Sequence, residues 1–134
     1  AARVVWGDIG REPRAAVLDP GDQTVPLNSC YSVACADRRD ALAFSALLNG
    51  PVARAWLAAI AEPARGGYFR YLGWTMAQLP IPRDWKRARG ILASLGERGR
   101  AGDSPSETDL FDATIEAFDV ERDEAAALVA WAAG

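Results

Sequence analysis

Apolar and polar positions along this 134-residue chain change their period several times, and each change predicts an element. Arg3 to Ile9 mixes β-branched and aromatic residues, which predicts a strand ending near Gly10. A polar connection, Gly10 to Arg14, leads to a second short strand at Ala15 to Leu18. Asp19-Pro20-Gly21-Asp22 is a turn, since Pro presets one dihedral and Gly supplies positive φ. Tyr31 to Ala36 alternates like a third strand, and Asp40 closes a charged turn as the expected cap of a following helix.

From Ala41 the apolar residues Leu42, Leu47, Leu48, Val52, Trp56, Leu57 and Ile60 recur with a helical period, broken at Asn49-Gly50-Pro51. Two abutting helices or one kinked helix satisfy the pattern, with Pro51 at a first helical position. Glu62-Pro63 ends the run, 64–67 is a loop and Tyr68 to Leu72 a further strand. Trp74, Met76 and Leu79 are expected to pack a short turn before Pro80-Ile81-Pro82 fixes an extended exit.

Asp84 is the expected cap of a helix through about Leu95. Gly96 to Ser104, rich in Gly and Arg, reads as a flexible connection. Ser104-Pro105-Ser106-Glu107 has the form of a capping box opening a helix through Phe118, and Asp119 is placed as the cap of a last helix. The expected fold is therefore α+β. A small mixed sheet flanked by helices occupies 1–83, and a helical C-terminal extension occupies 84–134.

A chain of this length can bury a core without metal or disulfide support. The longest apolar stretch, Ala55 to Ala61, is far too short to span a membrane, and no basic-then-apolar leader opens the sequence. A cytoplasmic protein with no membrane partner is expected. An N-terminus at Ala1, directly ahead of a strand-like run, suggests a piece of a longer polypeptide.

Histidine is absent, which removes Ser-His-Asp and Cys-His nucleophile systems and the usual imidazole zinc sites. Cys30 and Cys35 are too few for a disulfide framework and are expected to be buried free thiols. The paired carboxylates Asp109 with Asp112, and Asp123 with Glu124, are explained by solvated helix faces.

Net charge is −3, but it is unevenly spread. Residues 1–90 hold twelve cations against eight acids, a net +4, whereas 91–134 hold three against ten, a net −7. Fourteen of the fifteen cations are Arg, whose fork grips phosphate or guanine edges bidentately; a GC-rich genome also favours Arg. Lys86, Arg87 and Arg89 sit in the first turns of a helix, the unfavourable end of its dipole, and hint at an anionic neighbour.

Five groups of residues recur in order: Val5-Trp6; Pro26, Asn28-Ser29 and Tyr31; Leu47-Leu48-Asn49; Gly66-Gly67 with Arg70; and Leu79-Pro80-Ile81-Pro82. In this order and spacing, Val4 to Pro82 resembles the Taq-type target-recognition domain of adenine-N6 DNA methyltransferases, including type IIG restriction-modification enzymes. The specificity subunits of type I restriction systems look similar in outline. Gly50-Pro51 departs from the pattern, where the family usually shows Ser and an unbroken helix. The tail, with Asp109-Leu110-Phe111, resembles the helical end of such enzymes more loosely.

The family's catalytic signature, Asn or Asp before Pro-Pro and an aromatic, is missing, as is its glycine-rich loop for S-adenosylmethionine. The resemblance thus implies no cofactor in this chain. Methyl transfer and S-adenosylmethionine are assigned to an upstream methyltransferase domain, and double-stranded DNA is the expected partner. Arg65, Tyr68 and Arg70 flank the glycine pair and Arg11 and Arg14 lie in another polar connection, so these five are the expected DNA-binding residues. Asn28, Ser29, Asn49, Pro80 and Pro82 are expected to build the frame, since residues shared by readers of different sequences cannot encode one sequence.

The alternative is a protein-docking module whose acidic tail presents Leu110, Phe111, Phe118 and Trp131 to a larger enzyme. An autonomous enzyme is the weakest option, for want of a nucleophile-base pair.

Overall fold

The computed structural model describes residues 1–26 and 29–134, so Asn28, expected to help build the frame, lies outside the described residues. Its centre is helix α1 (Arg38–Leu48), where Ala41, Leu42, Ala43, Ser45, Ala46, Leu47 and Leu48 are all buried. A helix buried on nearly every side must be covered on every side. A three-stranded antiparallel sheet, β1 (Ala2–Gly7) between β3 (Ala15–Leu18) and β4 (Cys30–Cys35), covers one flank. Alternation along β1 turns Ala2, Val4 and Trp6 into the core.

Helix α4 (Trp85–Arg100) covers another flank and packs closely on α1. Where they cross, a Cβ on Gly96 would stand 2.2 Å from the Leu42 carbonyl oxygen. Charge reinforces the crossing: Arg38 donates to Glu97 at 2.7 and 3.2 Å and to Asp19 at 3.0 Å. Arg89 donates to Asp40 at 2.8 Å, as does the Trp85 indole at 3.0 Å. Arg100 holds the Val17 carbonyl at 2.9 Å and also pairs with Asp19.

Helix α2 (Pro51–Ile60) leaves α1 at a bend of 67°, with Gly50 extended and Pro51 opening the new helix. Asn49 uses the corner: its Oδ1 accepts from Ala15 N at 2.8 Å and its Nδ2 donates to Ala15 O at 3.0 Å. That pair ties β3 to the helical layer. Helices α5 (Glu107–Phe118) and α6 (Arg122–Ala133) pack against α2, and α5 also meets α4. No single helix is long and apolar enough to cross a membrane among the described residues.

A second antiparallel sheet is built from pieces: β2 (Ile9–Gly10), β6 (Phe69–Arg70) and β5 (Glu62–Pro63), with β6 in the middle. Asp8 hands the chain between the sheets, its N–H donating to Ser29 O at 2.9 Å and its carbonyl accepting from Tyr71 N at 2.8 Å. Tyr71 is buried, and its own carbonyl accepts from the Trp6 indole at 2.8 Å.

The fold is α+β, but its strands form two antiparallel sheets in place of one mixed sheet. The expected strand over 3–9 is divided by Asp8, and Tyr68 to Leu72 contributes only Phe69 and Arg70. The change at residues 83–84 is no break in the core, because Ala88, Leu92 and Ala93 of α4 belong to the same apolar cluster as Val4 and Leu47. Gly96 and Gly99 are helical and not a flexible connection.

Caps also move. Asp37, not Asp40, caps α1. The box of α5 is Ser106 with Asp109, three residues on, because Glu107 is already the first helical residue. Asp119 ends α5 in left-handed geometry with φ 55°, and Glu121 precedes α6. The one-turn helix α3 (Gly73–Met76) leaves Trp74 exposed and buries Met76, Leu79 just beyond it is buried, and Cys30 is exposed with Cys35 half-buried, neither in a disulfide.

Two predictions follow from the packing. Gly96→Ala drives a methyl into the α1 backbone, an overpacking cost of about 1–3 kcal/mol that exceeds the gain of about 1 kcal/mol in helix propensity. Gly90→Ala meets only the flexible end of Arg39, so urea denaturation should rank Gly96→Ala below wild type and Gly90→Ala at or above it. Burial, with Glu12 adding to it, raises the Tyr71 phenol from 10.0 to about 12. The unfolded chain then ionises Tyr71 before the folded one does. Stability is full below pH 10.0 and falls as pH rises towards about 12, by about 1.4 kcal/mol per pH unit, and Tyr71→Phe should flatten that fall in urea titrations.

Candidate nucleic-acid interface

The small sheet carries the expected site. Residue alternation puts Arg70, Ile9 and Glu62 on its outer face, while Phe69 packs inward against the core. Before it, Arg65 to Gly67 form one turn of 3₁₀ helix, closed by Tyr68 N donating to Arg65 O at 3.4 Å and Ala64 N donating to Tyr68 O at 2.7 Å. Gly66 and Gly67 take φ of 73° and 79°, a region in which a side chain is strained. The sequence needs both glycines to make this corner.

The corner brings Tyr68 under Arg11, whose guanidinium carbon lies 5.0 Å from the ring centre. Such a stack contributes about 0.5–1 kcal/mol at an exposed site and holds the cation in place. Arg11, Arg14 and Tyr68 share the wall of a hollow of about 510 Å³ with Gly10 and Glu12. Arg65 and Arg70 are exposed nearby in the chain but do not line that hollow.

Ion pairing separates these cations from six arginines of the frame, though not from Arg3, Arg39 and Arg87, which also lack a carboxylate among the described residues. Arg38, Arg54, Arg89, Arg98, Arg100 and Arg122 each bind at least one carboxylate of the frame. Arg11, Arg65 and Arg70 bind none among the described residues, and Arg14 reaches only Glu12 at 3.4 Å. The hint from the start of α4 resolves within the chain: Arg89 has Asp37 and Asp40, and Arg87 donates to the Glu116 carbonyl at 3.0 Å. Arg83 and Lys86 stay free of carboxylates there, a second and smaller positive patch.

Of the paired acids of the tail, Asp109 is engaged by Arg98 and Asp112 by Arg122, whereas Asp123 and Glu124 have no ion pair among the described residues. Beside Asp109, the Ser106 N–H and the Arg98 guanidinium hold its carboxyl below the usual range. The ion pairs of Asp109 and Asp112 tie α5 to α4 and to α6. Among the described residues no three His, Cys, Asp or Glu side chains converge on a metal-sized site.

The glycine pair leads into a strand and not into a helix start.

What sequence reasoning missed is the Arg11–Tyr68 stack, which joins residues 57 apart, and an apolar cavity between α2, α5 and α6. Neither has a local signal in the chain. No protein-family model and no curated protein matches this sequence.

The glycine corner is testable. Gly66→Ala and Gly67→Ala each impose left-handed strain of about 1–2 kcal/mol on a short sheet with little else to hold it. Hydrogen exchange should quicken at the Tyr68 and Arg70 amides, while α1 and α4 keep their protection.

Proposed function

We propose that the chain reads duplex DNA, as the target-recognition part of an adenine-N6 DNA methyltransferase or restriction-modification enzyme. Arg11, Arg65, Tyr68 and Arg70 approach the major groove and its phosphates from the small sheet, with Arg14 at the margin. Methyl transfer, S-adenosylmethionine and the pocket for the flipped adenine belong, on this reading, to a domain outside residues 1–134, acting in the cytoplasm.

One observation carries the proposal: Arg11, Arg65 and Arg70 cluster at and beside the exposed glycine-cornered sheet without carboxylate partners among the described residues, while six arginines of the frame are held by internal acids. A free guanidinium fork can bind phosphate or a guanine edge without first breaking an ion pair. Glu62, directly opposite Arg70, and Glu12, beside Arg11 and Arg14 in the hollow, temper their field.

A second reading, docking to another protein, is favoured by Trp131, which is 60% exposed near the end of α6 in the acidic tail. The two readings use opposite parts of the sequence and need not compete.

The test is selection of bound duplexes from a random pool, followed by fluorescence anisotropy across a salt series. A preferred sequence should emerge. Arg11→Ala, Arg65→Ala and Arg70→Ala should each weaken binding by about 1–3 kcal/mol where they read a base, or lower the salt slope by about 1 where they hold a phosphate. Arg98→Ala, which breaks only internal pairs, should bind as wild type. Three arginine variants indistinguishable from wild type would remove the site.

A further inference from the structure

Helix α6 approaches its neighbours through small residues, and Ala125 is its only buried side chain. The space left between α2, α5 and α6 is an open-sided cavity of about 370 Å³, within the range of small-ligand sites. Trp56, Val52, Leu47, Ile115, Phe118 and Leu128 supply its apolar walls. Thr114 adds no free polar group, because its hydroxyl donates to the Leu110 carbonyl at 2.7 Å.

The charge at this cavity is one-sided. Glu124 is the only ionisable residue of its lining, and its carboxylate has no ion-pair partner among the described residues. The adjacent cation is turned away, since Arg122 pairs with Asp112 at 2.9 Å and lies over the Phe111 ring. Residues 116–124 hold five acids and that one arginine. Trp56 and Val120, both partly exposed, stand at the cavity with nothing over them.

An anion entering here would face Glu124 without a compensating cation, and a neutral apolar molecule would gain burial alone. A cation with an apolar body gains both burial and an ion pair with Glu124. We propose that the cavity between α2, α5 and α6 binds a small organic ammonium ion, its apolar body between Trp56, Phe118 and Leu128 and its charged head at Glu124. This site is independent of the DNA-reading face.

Hexylammonium, hexan-1-ol and hexanoate share one alkyl body and differ in charge, so they test the proposal on the whole chain by calorimetry and amide shift mapping. Shifts should centre on the α2, α5 and α6 residues of the cavity. Hexylammonium should bind about fivefold more tightly than hexanol, the scale of one exposed ion pair, with hexanoate weakest. Glu124→Gln, an exposed substitution that spares the core, should bring hexylammonium to the level of hexanol. Leu128→Trp should fill the space and weaken all three ligands. Equal affinity of the three, shifts lying elsewhere, or an ammonium preference that survives Glu124→Gln would overturn the proposal. Duplex binding by Glu124→Gln should equal wild type, so failure here leaves the DNA reading standing.

Discussion

The close passage of α4 over α1, where Gly96 leaves room for the Leu42 carbonyl, governs the rest of the molecule. Because α1 is buried on nearly every side, it can be folded only when α4 and the β1-centred sheet cover it together. The crossing also decides where charge goes. Arg38, Arg89 and Arg100 are drawn onto Asp19, Asp37, Asp40 and Glu97 at its edges, each exposed pair stabilising little alone but fixing the relative position of helix and sheet. A rigid, internally neutralised frame results.

That neutralisation gives the small sheet its character. The body of the chain has a surplus of arginine. Of the cations left without a carboxylate among the described residues, Arg39, Arg83 and Lys86 lie on α1 and at the start of α4, while Arg11, Arg65 and Arg70 lie at or beside the small sheet. The last three stand at the element with the least regular structure, two-residue strands around Gly66 and Gly67, where side chains can be repositioned at small cost. The acidic tail has the complementary character: α6 is thinly packed and leaves an apolar cavity beside Glu124.

Element type was legible in the sequence wherever period and punctuation agreed. Asn49-Gly50-Pro51 announced the bend between α1 and α2, because Pro51 opens a helix and Gly50 ends the preceding turn. Caps were less legible, since several acids and serines compete within three residues: Asp37 precedes Asp40, and Ser106 follows Ser104. Gly96 and Gly99 misled for a physical reason, as glycine signals a loop locally but a close helix crossing only when the partner helix is known. Residues in the family-like series have visible structural work, with Asn49 bonded to both backbone atoms of Ala15 and Trp6 to Tyr71. The grouping of Arg11 with Tyr68, and the cavity walls drawn from three helices, depend on tertiary packing that no local pattern encodes.

The molecule divides between a frame most of whose arginines are held by acids or carbonyls and a small sheet whose neighbouring arginines have no carboxylate among the described residues. Amide chemical-shift mapping of the chain during titration with its selected duplex tests that division directly. The account predicts shifts concentrated in residues 9–14 and 62–70, with α1, β1 and the body of α4 silent. Shifts centred instead on Arg83 and Lys86 at the start of α4, or spread over α1 and β1 while residues 62–70 stay still, would contradict it.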